Sequence, residues 1–333
     1  MPTLNRRHFL QYGSAAATAV AGLPARAADA FPTKPLALVV PYPAGGASDV
    51  SARIFAESIG KSVQQQVIVE NYGGGTGLIG AAKVLSAPAD GYTFFHGGAG
   101  DVFLTPMLNP AARYKPQDFV QAAPLSEANI VLMVRNGIAA KTLDEFLEFA
   151  KTRKDQPLTY ATVGIDSFYH LMGDALANRL KLPFLHVPYK GGAPALQDLA
   201  GGQVDFAILA YQASFDAMQQ QGRLRVLSSF SKTLPAALKH IPLISQSKLV
   251  PDFEYTIGGG YFVKKGTPPE RIAVLRQAIG EALAKPEIRA KLELEGRNVA
   301  NPIATQQQAD QNYDLQYKRI AELIRSVGRQ PRA

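Results

Sequence analysis

Short apolar runs alternate with amphipathic stretches along most of the chain. The predicted strands are 36–41 (LALVVP), 67–70, 92–96, 130–135 (IVLMVR), 158–162, 185–188, 204–210 and 225–230. Helical patterns follow most of these runs, and a final pair is predicted over about 287–295 and 305–327. Ser48 and the capping boxes Thr142-Leu-Asp-Glu145 and Thr267-Pro-Pro-Glu270 mark helix starts. This order of strand, small-residue loop and helix predicts an α/β fold with mostly parallel sheets flanked by helices.

Composition agrees with a globular protein that closes sizeable cores. The 333 residues are 47% hydrophobic, and this length favours two domains. The chain has no Cys, which excludes disulfides, thiolate metal sites and cysteine nucleophiles.

Residues 1–27 are predicted to be an export signal. Arg6-Arg7 precede a short Ala-rich apolar run, and Ala25-Arg26-Ala27 has the small-x-small cleavage pattern. The paired arginines resemble a twin-arginine signal, which predicts an exported, periplasmic protein. An uncleaved amphipathic anchor is the alternative. Cleavage removes three arginines and no acid, so the formal charge of +8 falls by three and gives no argument for nucleic acid.

The loops after the predicted strands are the places to expect a ligand. In open α/β sheets, ligands lie beyond the carboxyl ends of strands, where amides at helix starts point outward. The loop from Pro41 to Asp49 contains Gly45 and Gly46 just before a helix. Two or three amides there are enough to hold a carboxylate, at about 1.5 to 3 kcal/mol for each charged hydrogen bond. An ordinary capped turn is the alternative interpretation.

Five phrases, taken together, resemble one protein family. They are KPLALVVPYPAGGASDVSAR (34–53), VIVENYGGGTGLIGA (67–81), APADGYT (87–93), LTYATVG (158–164) and HVPYKGGAPALQDLAGGQVD (186–205). In this order they are similar to Bug-type solute-binding proteins, the extracytoplasmic receptors of tripartite tricarboxylate transporters. The similarity runs from about residue 31 to near the C-terminus.

The resemblance implies a periplasmic binding protein of the type II kind, in which two α/β lobes enclose a small carboxylate. The first lobe is expected at 31–130 with 254–333 and the second at 131–253, with a hinge near Ile130 and Tyr255. The predicted ligand-binding residues are Tyr42, Pro43, Ala44, Gly45, Gly46, Ser48, Asp49, Gly98, Asp101, Thr162, Gly164, Asp166, Ser167, His170 and Tyr211.

The sequence also departs from the family pattern. Asp101 and Asp166 stand where small neutral residues are usual, and Tyr211 lies where an acidic residue is common. A buried carboxylate beside an anionic solute repels it unless one of the two is protonated. Asp101 and Asp166 are therefore expected either to contact a donor group of the ligand or to cap the helices that follow.

A different class of protein is suggested by Gly75-Thr-Gly77-Leu-Ile-Gly80, which matches the G-x-G-x-x-G pattern of dinucleotide sites. Four residues separate the strand from its first glycine, whereas the dinucleotide turn is tight. A cleft loop with Gly80 packed on the sheet is the favoured interpretation. The histidines show no metal-ligand spacing, and no G-x-S-x-G nucleophile turn is present.

The sequence therefore predicts a receptor, not an enzyme, without cofactor or metal. It is expected to be a monomer that presents its closed form to membrane transporter subunits and does not bind nucleic acid. An exported NAD(P)-dependent oxidoreductase and a periplasmic ligand sensor for a signalling partner remain as alternatives.

Overall fold

The computed structural model describes residues 31–332, so the predicted signal peptide lies outside the described residues. Within that range the strands are β1 Leu36–Val40, β2 Val67–Asn71, β3 Thr93–Gly98, β4 Phe119–Arg135, β5 Leu158–Thr162, β6 Phe184–Pro188, β7 Phe206–Ala210, β8 Leu224–Ser229, β9 Thr256–Lys264 and β10 Arg297–Val299. The α-helices are α1 Ala47–Val63, α2 Leu78–Ser86, α3 Thr105–Leu108, α4 Leu143–Lys151, α5 Phe168–Leu180, α6 Gly192–Ala200, α7 Ser214–Gln220, α8 Pro269–Ala284, α9 Pro286–Leu294 and α10 Gln306–Ser326. A π-helical turn, Gly100–Leu104, precedes α3.

The strands form one mixed sheet in the order β2-β1-β3-β9-β4-β7-β5-β6, with β8 and β10 also pairing with β4. The α/β class is confirmed. The prediction of mostly parallel strands holds for β1 with β2 and β3 and for β5 with β6 and β7. It is wrong for the middle of the sheet, where β4 and β9 pair antiparallel with each other and with their other neighbours.

The apolar run of β1 is continuous because helices cover both faces of the strand. Leu38 and Val40 belong to one core cluster and Val39 to another, as alternation along a strand requires. Phe55 of α1 and Leu275 of α8 cover the face of Leu38, and both are fully buried. Each such side chain contributes about 1.5 to 3 kcal/mol to stability by leaving water.

Strand β4 is much longer than the run predicted from Ile130. Its first part has mixed polarity and contains Pro124, which usually argues against a strand. The ladder with β9 shifts register between Pro124 and Ser126, so the missing proline amide falls at an irregularity. The partner strand β9 was not predicted, because its Gly258–Gly260 run has low strand propensity.

The two parts of β4 have different partners. Residues 119–129 pair with β9, and β10 pairs with the end of this part. Residues 130–135 pair with β7 and β8. One strand therefore runs through both parts of the sheet, and the loops at the ends of β1, β3, β5 and β7 approach each other across it.

Candidate functional site

A cavity of about 80 Å³ lies beyond the carboxyl ends of β1, β3, β5 and β7. Its lining residues are Tyr42, Gly46, Ala47, Ser48, Thr76, His96, Gly97, Gly98, Gly100, Asp101, Ala128, Val163, Ser167, Phe168, Tyr169, Gly192, Leu209, Ala210, Gln212, Ile257, Gly258, Gly259 and Arg297. A bound water needs only about 10 to 15 Å³ on this measure. The cavity therefore has room for a small organic solute, at the place that open α/β sheets favour.

The start of α1 borders the cavity and has no side-chain cap. Gly46 is the N-cap, with φ −83° and ψ 167°, and the first helical bond runs from the Val50 amide to the Gly46 carbonyl at 3.0 Å. The amides of Ala47 and Ser48 precede that bond and have no intrahelical acceptor. These amides and the positive end of the helix dipole favour an anion at this point.

Asp49 holds this loop in place and does not line the cavity. Its carboxylate accepts hydrogen bonds from the Gly45 amide at 2.9 Å, Asn71 Nδ2 at 3.0 Å and Arg53 Nε at 3.1 Å. Burial would raise the pKa of Asp49, but the bonds from Arg53, Gly45 and Asn71 outweigh it, and the pKa falls below 3.8. The ionised carboxylate therefore stabilises the loop without lining the cavity.

Asp101 does line the cavity. Its Oδ1 accepts from Tyr42 Oη at 2.5 Å and its Oδ2 accepts from the Gly98 amide at 3.0 Å. Burial raises the pKa of Asp101 to about 6, although both bonds oppose the rise. Gly77 has φ +88°, and a Cβ there would collide with the Asp101 carboxylate, so the glycine loop after β2 needs Gly77 for this contact.

Two basic side chains in the cavity were missed by the sequence analysis. His96 of β3 is buried and its Nδ1 has no partner among the described residues. Burial, with the charge of Arg297 next, lowers the pKa of His96 to about 3, so its imidazole is neutral. Arg297 of β10 is also buried and donates from Nη2 to the Ala47 carbonyl at 3.0 Å. Nothing in the local sequence of β10 signals this position.

The opposite wall is formed by the start of α5. Ser167 is its N-cap, and Ser167 Oγ accepts from the His170 amide at 3.2 Å. Phe168 and Tyr169 follow and line the cavity. Burial raises the pKa of Tyr169 to about 12, so the phenol is a neutral hydrogen-bond donor. This wall offers aromatic faces and a hydroxyl, and its helix start is capped.

Asp166 and His170 face away from the cavity. The Asp166 carboxylate forms an ion pair with Arg329, which follows α10. The His170 ring stacks on His186 with centroids 3.9 Å apart, and the Asp166 amide donates to His170 Nδ1 at 3.0 Å. Burial is the main cause that lowers the pKa of His170. Asp166 therefore neither contacts the cavity nor caps α5, which Ser167 does.

The remaining predicted residues shape the loops. Pro43 lies so close to Gly73 and Gly191 that a Cβ on either glycine would collide with its ring. Thr162 Oγ1 hydrogen-bonds His186 Nε2 at 2.6 Å and the Gly164 amide at 3.3 Å. Tyr211 is fully buried and packs against Gly296.

Of the predicted residues, six line the cavity: Tyr42, Gly46, Ser48, Gly98, Asp101 and Ser167. Nine lie around it without lining it: Pro43, Ala44, Gly45, Asp49, Thr162, Gly164, Asp166, His170 and Tyr211. The lining residues outside the predicted set include Thr76, His96, Tyr169, Gln212 and Arg297. The Gly258–Gly260 run was the visible signal for one of the missed segments, because three successive glycines permit close approach to a ligand.

The dinucleotide alternative finds no support in the geometry. Gly75–Gly77 form a 3₁₀ turn, and Gly80 packs on Pro41 and Phe95 of the sheet, as the sequence analysis predicted. The acid that follows, Asp101, is already bonded to Tyr42 and Gly98.

Residues 31–332 contain no group of three or more acidic or histidine side chains placed to hold a metal ion. In the same range, none of the helices is long and apolar enough to cross a membrane.

An α/β fold with a small cavity at the strand ends, beside an uncapped helix start, is shared with solved periplasmic binding proteins. The chain belongs to the TctC family, the tripartite tricarboxylate transporter family receptors, whose family model matches residues 51–329. Receptors of this family are periplasmic binding proteins, not enzymes, and work with the membrane subunits of these transporters.

Known proteins similar to the chain include a Bug protein and two ligand-bound structures. BugT of Bordetella pertussis is 29% identical over 314 residues, which cover 93% of this chain and 94% of BugT. MatC from Rhodopseudomonas palustris with bound malate has a TM-score of 0.80 and 27% identity, covering 88% of this chain and 100% of MatC. R. palustris Rpa4515 with adipate has a TM-score of 0.82 and 25% identity, covering 90% and 98%.

Proposed function

We propose that this receptor binds a small organic carboxylate in the cavity and closes around it by hinge motion. The observation that carries the proposal is the uncapped start of α1, where the amides of Ala47 and Ser48 border the cavity. Hydrogen bonds to a charged group are worth about 1.5 to 3 kcal/mol each, so these two amides contribute useful affinity for a carboxylate. Malate and adipate, named for two solved neighbours, are the first solutes to test.

The hinge in this proposal divides the chain into 31–130 with 254–333 and 131–253. The exchange of partners along β4 at residues 129–130 supports a boundary there, because each part of the strand belongs to a separate set of pairings. Closure requires solute contacts from both sides of the cavity, because a ligand that binds the open and closed forms equally well does not shift the equilibrium between them.

Contacts between the two proposed lobes support a closed form. Thr76 Oγ1, in the loop after β2, donates to the Ile165 carbonyl, in the loop after β5, at 2.9 Å. The Arg329–Asp166 ion pair joins the segment after α10 to that same loop. We propose that the signal peptide directs export and is cleaved after Ala27, and that the membrane subunits recognise a monomer in this closed form.

The direct contacts proposed are the amides of Ala47 and Ser48, together with Gly46, Gly98, Asp101, Ser167 and the side chain of Tyr42. Asp49 and Thr162 are proposed to act on the loops that carry these contacts.

The test is a thermal-shift screen of the mature protein against mono-, di- and tricarboxylates, amino acids and aromatic acids, followed by calorimetry. The expected result is a saturable stabilisation by at least one acid, with no absorbance from a nicotinamide or flavin and no turnover. Neutral sugars of similar size serve as the control. Stabilisation by sugars alone, or a redox group that copurifies, would overturn the proposal.

A further inference from the structure

Arg297 is a buried charge in the wall of the cavity. It opens the short strand β10 and is 7% exposed. Its Nη2 donates to the Ala47 carbonyl in the first turn of α1, at 3.0 Å, so the guanidinium lies beside the open helix start. Two features that favour an anion, a helix N-terminus and a permanent positive charge, therefore meet at one side of the cavity.

Within residues 31–332, no carboxylate lies within 4.0 Å of the Arg297 guanidinium, and its buried Nε has no hydrogen-bond partner. The carboxylates nearby are hydrogen-bonded to other groups. Asp49 is bonded to Arg53 and Asn71, and the Glu295 carboxylate accepts from the Ala213 amide at 3.1 Å. A buried charge without a counter-ion is costly, and proteins normally pair it.

Arg276 shows what a purely structural buried arginine looks like in this fold. It is 6% exposed, donates from Nε to the Ala122 carbonyl at 2.9 Å and from Nη2 to Gln306, and lies outside the cavity. Both sides of its guanidinium are thus used within the protein. Arg297 has a similar burial but leaves its Nε unused, and it lines the cavity.

We infer that Arg297 supplies the counter-charge for a carboxylate of the bound solute, next to the amides of α1. The inference rests on the proposed function and deepens it, because it names an ionised carboxylate, not a neutral acyl group, as what the cavity selects. A guanidinium presents donors in a planar fork that matches a carboxylate, which a lysine does not reproduce. The neutral imidazole of His96, in the same wall, adds no competing charge.

The experiment compares wild type with R297Q, R297K and the matched control R276Q. Calorimetry measures the affinity for the best acid of the screen and for its neutral methyl ester or amide. R297Q is expected to bind the acid at least about 30-fold more weakly, as for a buried charge that loses its partner, and to lose the preference for acid over ester. R297K keeps the charge without the fork, so we expect about tenfold weaker binding with the preference retained.

Thermal unfolding without ligand separates a binding role from a structural one. If Arg297 serves the solute, ligand-free R297Q should be as stable as wild type or more stable, because an unpaired buried charge has been removed. R276Q should lose stability and keep the acid preference. Unchanged acid affinity and preference in R297Q, or in R297K if R297Q does not fold, would overturn the inference. Failure of wild type to bind any acid would instead overturn the proposed function.

Discussion

Two helix starts face each other across the cavity, and they are built in opposite ways. The start of α5 has Ser167 at its N-cap, whose hydroxyl accepts from the His170 amide. The start of α1 has Gly46 there and no side-chain cap. A capped helix start has used part of its capacity for an anion, whereas an uncapped one keeps all of it. The proposed carboxylate site therefore lies at α1, although both loops follow parallel strands.

The polar side chains near the two helix starts point away from the cavity, but they have different partners. Asp49 turns back to brace its own loop and leaves the α1 amides open. Asp166 and His170 turn outward to Arg329 and His186. Asp49 and Asp166 thus stabilise loop geometry, and among residues 31–332 Asp101 is the one acid that lines the cavity.

The largest effect is expected for Gly46→Val. Its side chain would fill the space beside the α1 amides, so carboxylate affinity should fall by at least about 100-fold in calorimetry, which corresponds to about 2.7 kcal/mol. The fold should survive, because a Cβ at Gly46 meets only the Pro43 carbonyl, at 3.6 Å. Gly280→Val is the matched control, since its Cβ meets only Pro302, also at 3.6 Å and away from the cavity. Equal affinity in wild type and Gly46→Val would place the anion elsewhere.

Gly46→Ser makes the start of α1 resemble that of α5. The backbone at Gly46 already has the extended conformation of an N-cap, so a serine hydroxyl there can accept from the Ser48 or Asp49 amide. Stability should rise by a few tenths of a kcal/mol, while carboxylate affinity falls about tenfold because the hydroxyl competes with the ligand. Thermal melts and calorimetry on one preparation measure both. Tighter binding by this variant would contradict the role given to the open amides.

Asp101→Asn is expected to bind an anionic solute about fivefold more tightly than wild type above pH 6. The carboxyl of Asp101 loses its proton as pH rises through its pKa of about 6 and then repels an anionic solute. The ratio of wild-type to Asp101→Asn dissociation constants should be near one at pH 5 and rise above pH 6. Taking the ratio cancels the ionisation of the solute itself. His96, with a pKa of about 3, and Tyr42, with a pKa well above 10.0, do not titrate in this window. A ratio that stays flat with pH would remove Asp101 from the solute's surroundings.

The smallest effect is expected for Asp166→Asn. It breaks a partly exposed ion pair with Arg329, and such pairs contribute about 0.2 to 1 kcal/mol. Affinity should fall at most about fivefold, and equally for dicarboxylates and amine-bearing acids, because Asp166 lies outside the cavity. Selective weakening of amine-bearing ligands would show that Asp166 contacts the solute after all.

The sequence by itself determined the α/β class, the strand ends that carry the site and the glycine loop at the start of α1. These features depend on local pattern: β1 is apolar throughout because both its faces are buried, and Gly45-Gly46 before Ser48 marks a helix start. The five sequence segments that resemble the Bug family are local patterns of the same kind. The family that they predicted is confirmed.

Only the tertiary structure decided which side chains reach the cavity. Arg297 and Ala47 are 250 residues apart in sequence and meet because β10 pairs with β4, which no local pattern encodes. The same holds for Asp166, whose partner Arg329 lies 163 residues away. Long-range pairing sets the direction of a polar side chain, because the groups that neutralise its charge or accept its hydrogen bonds come from distant parts of the sequence.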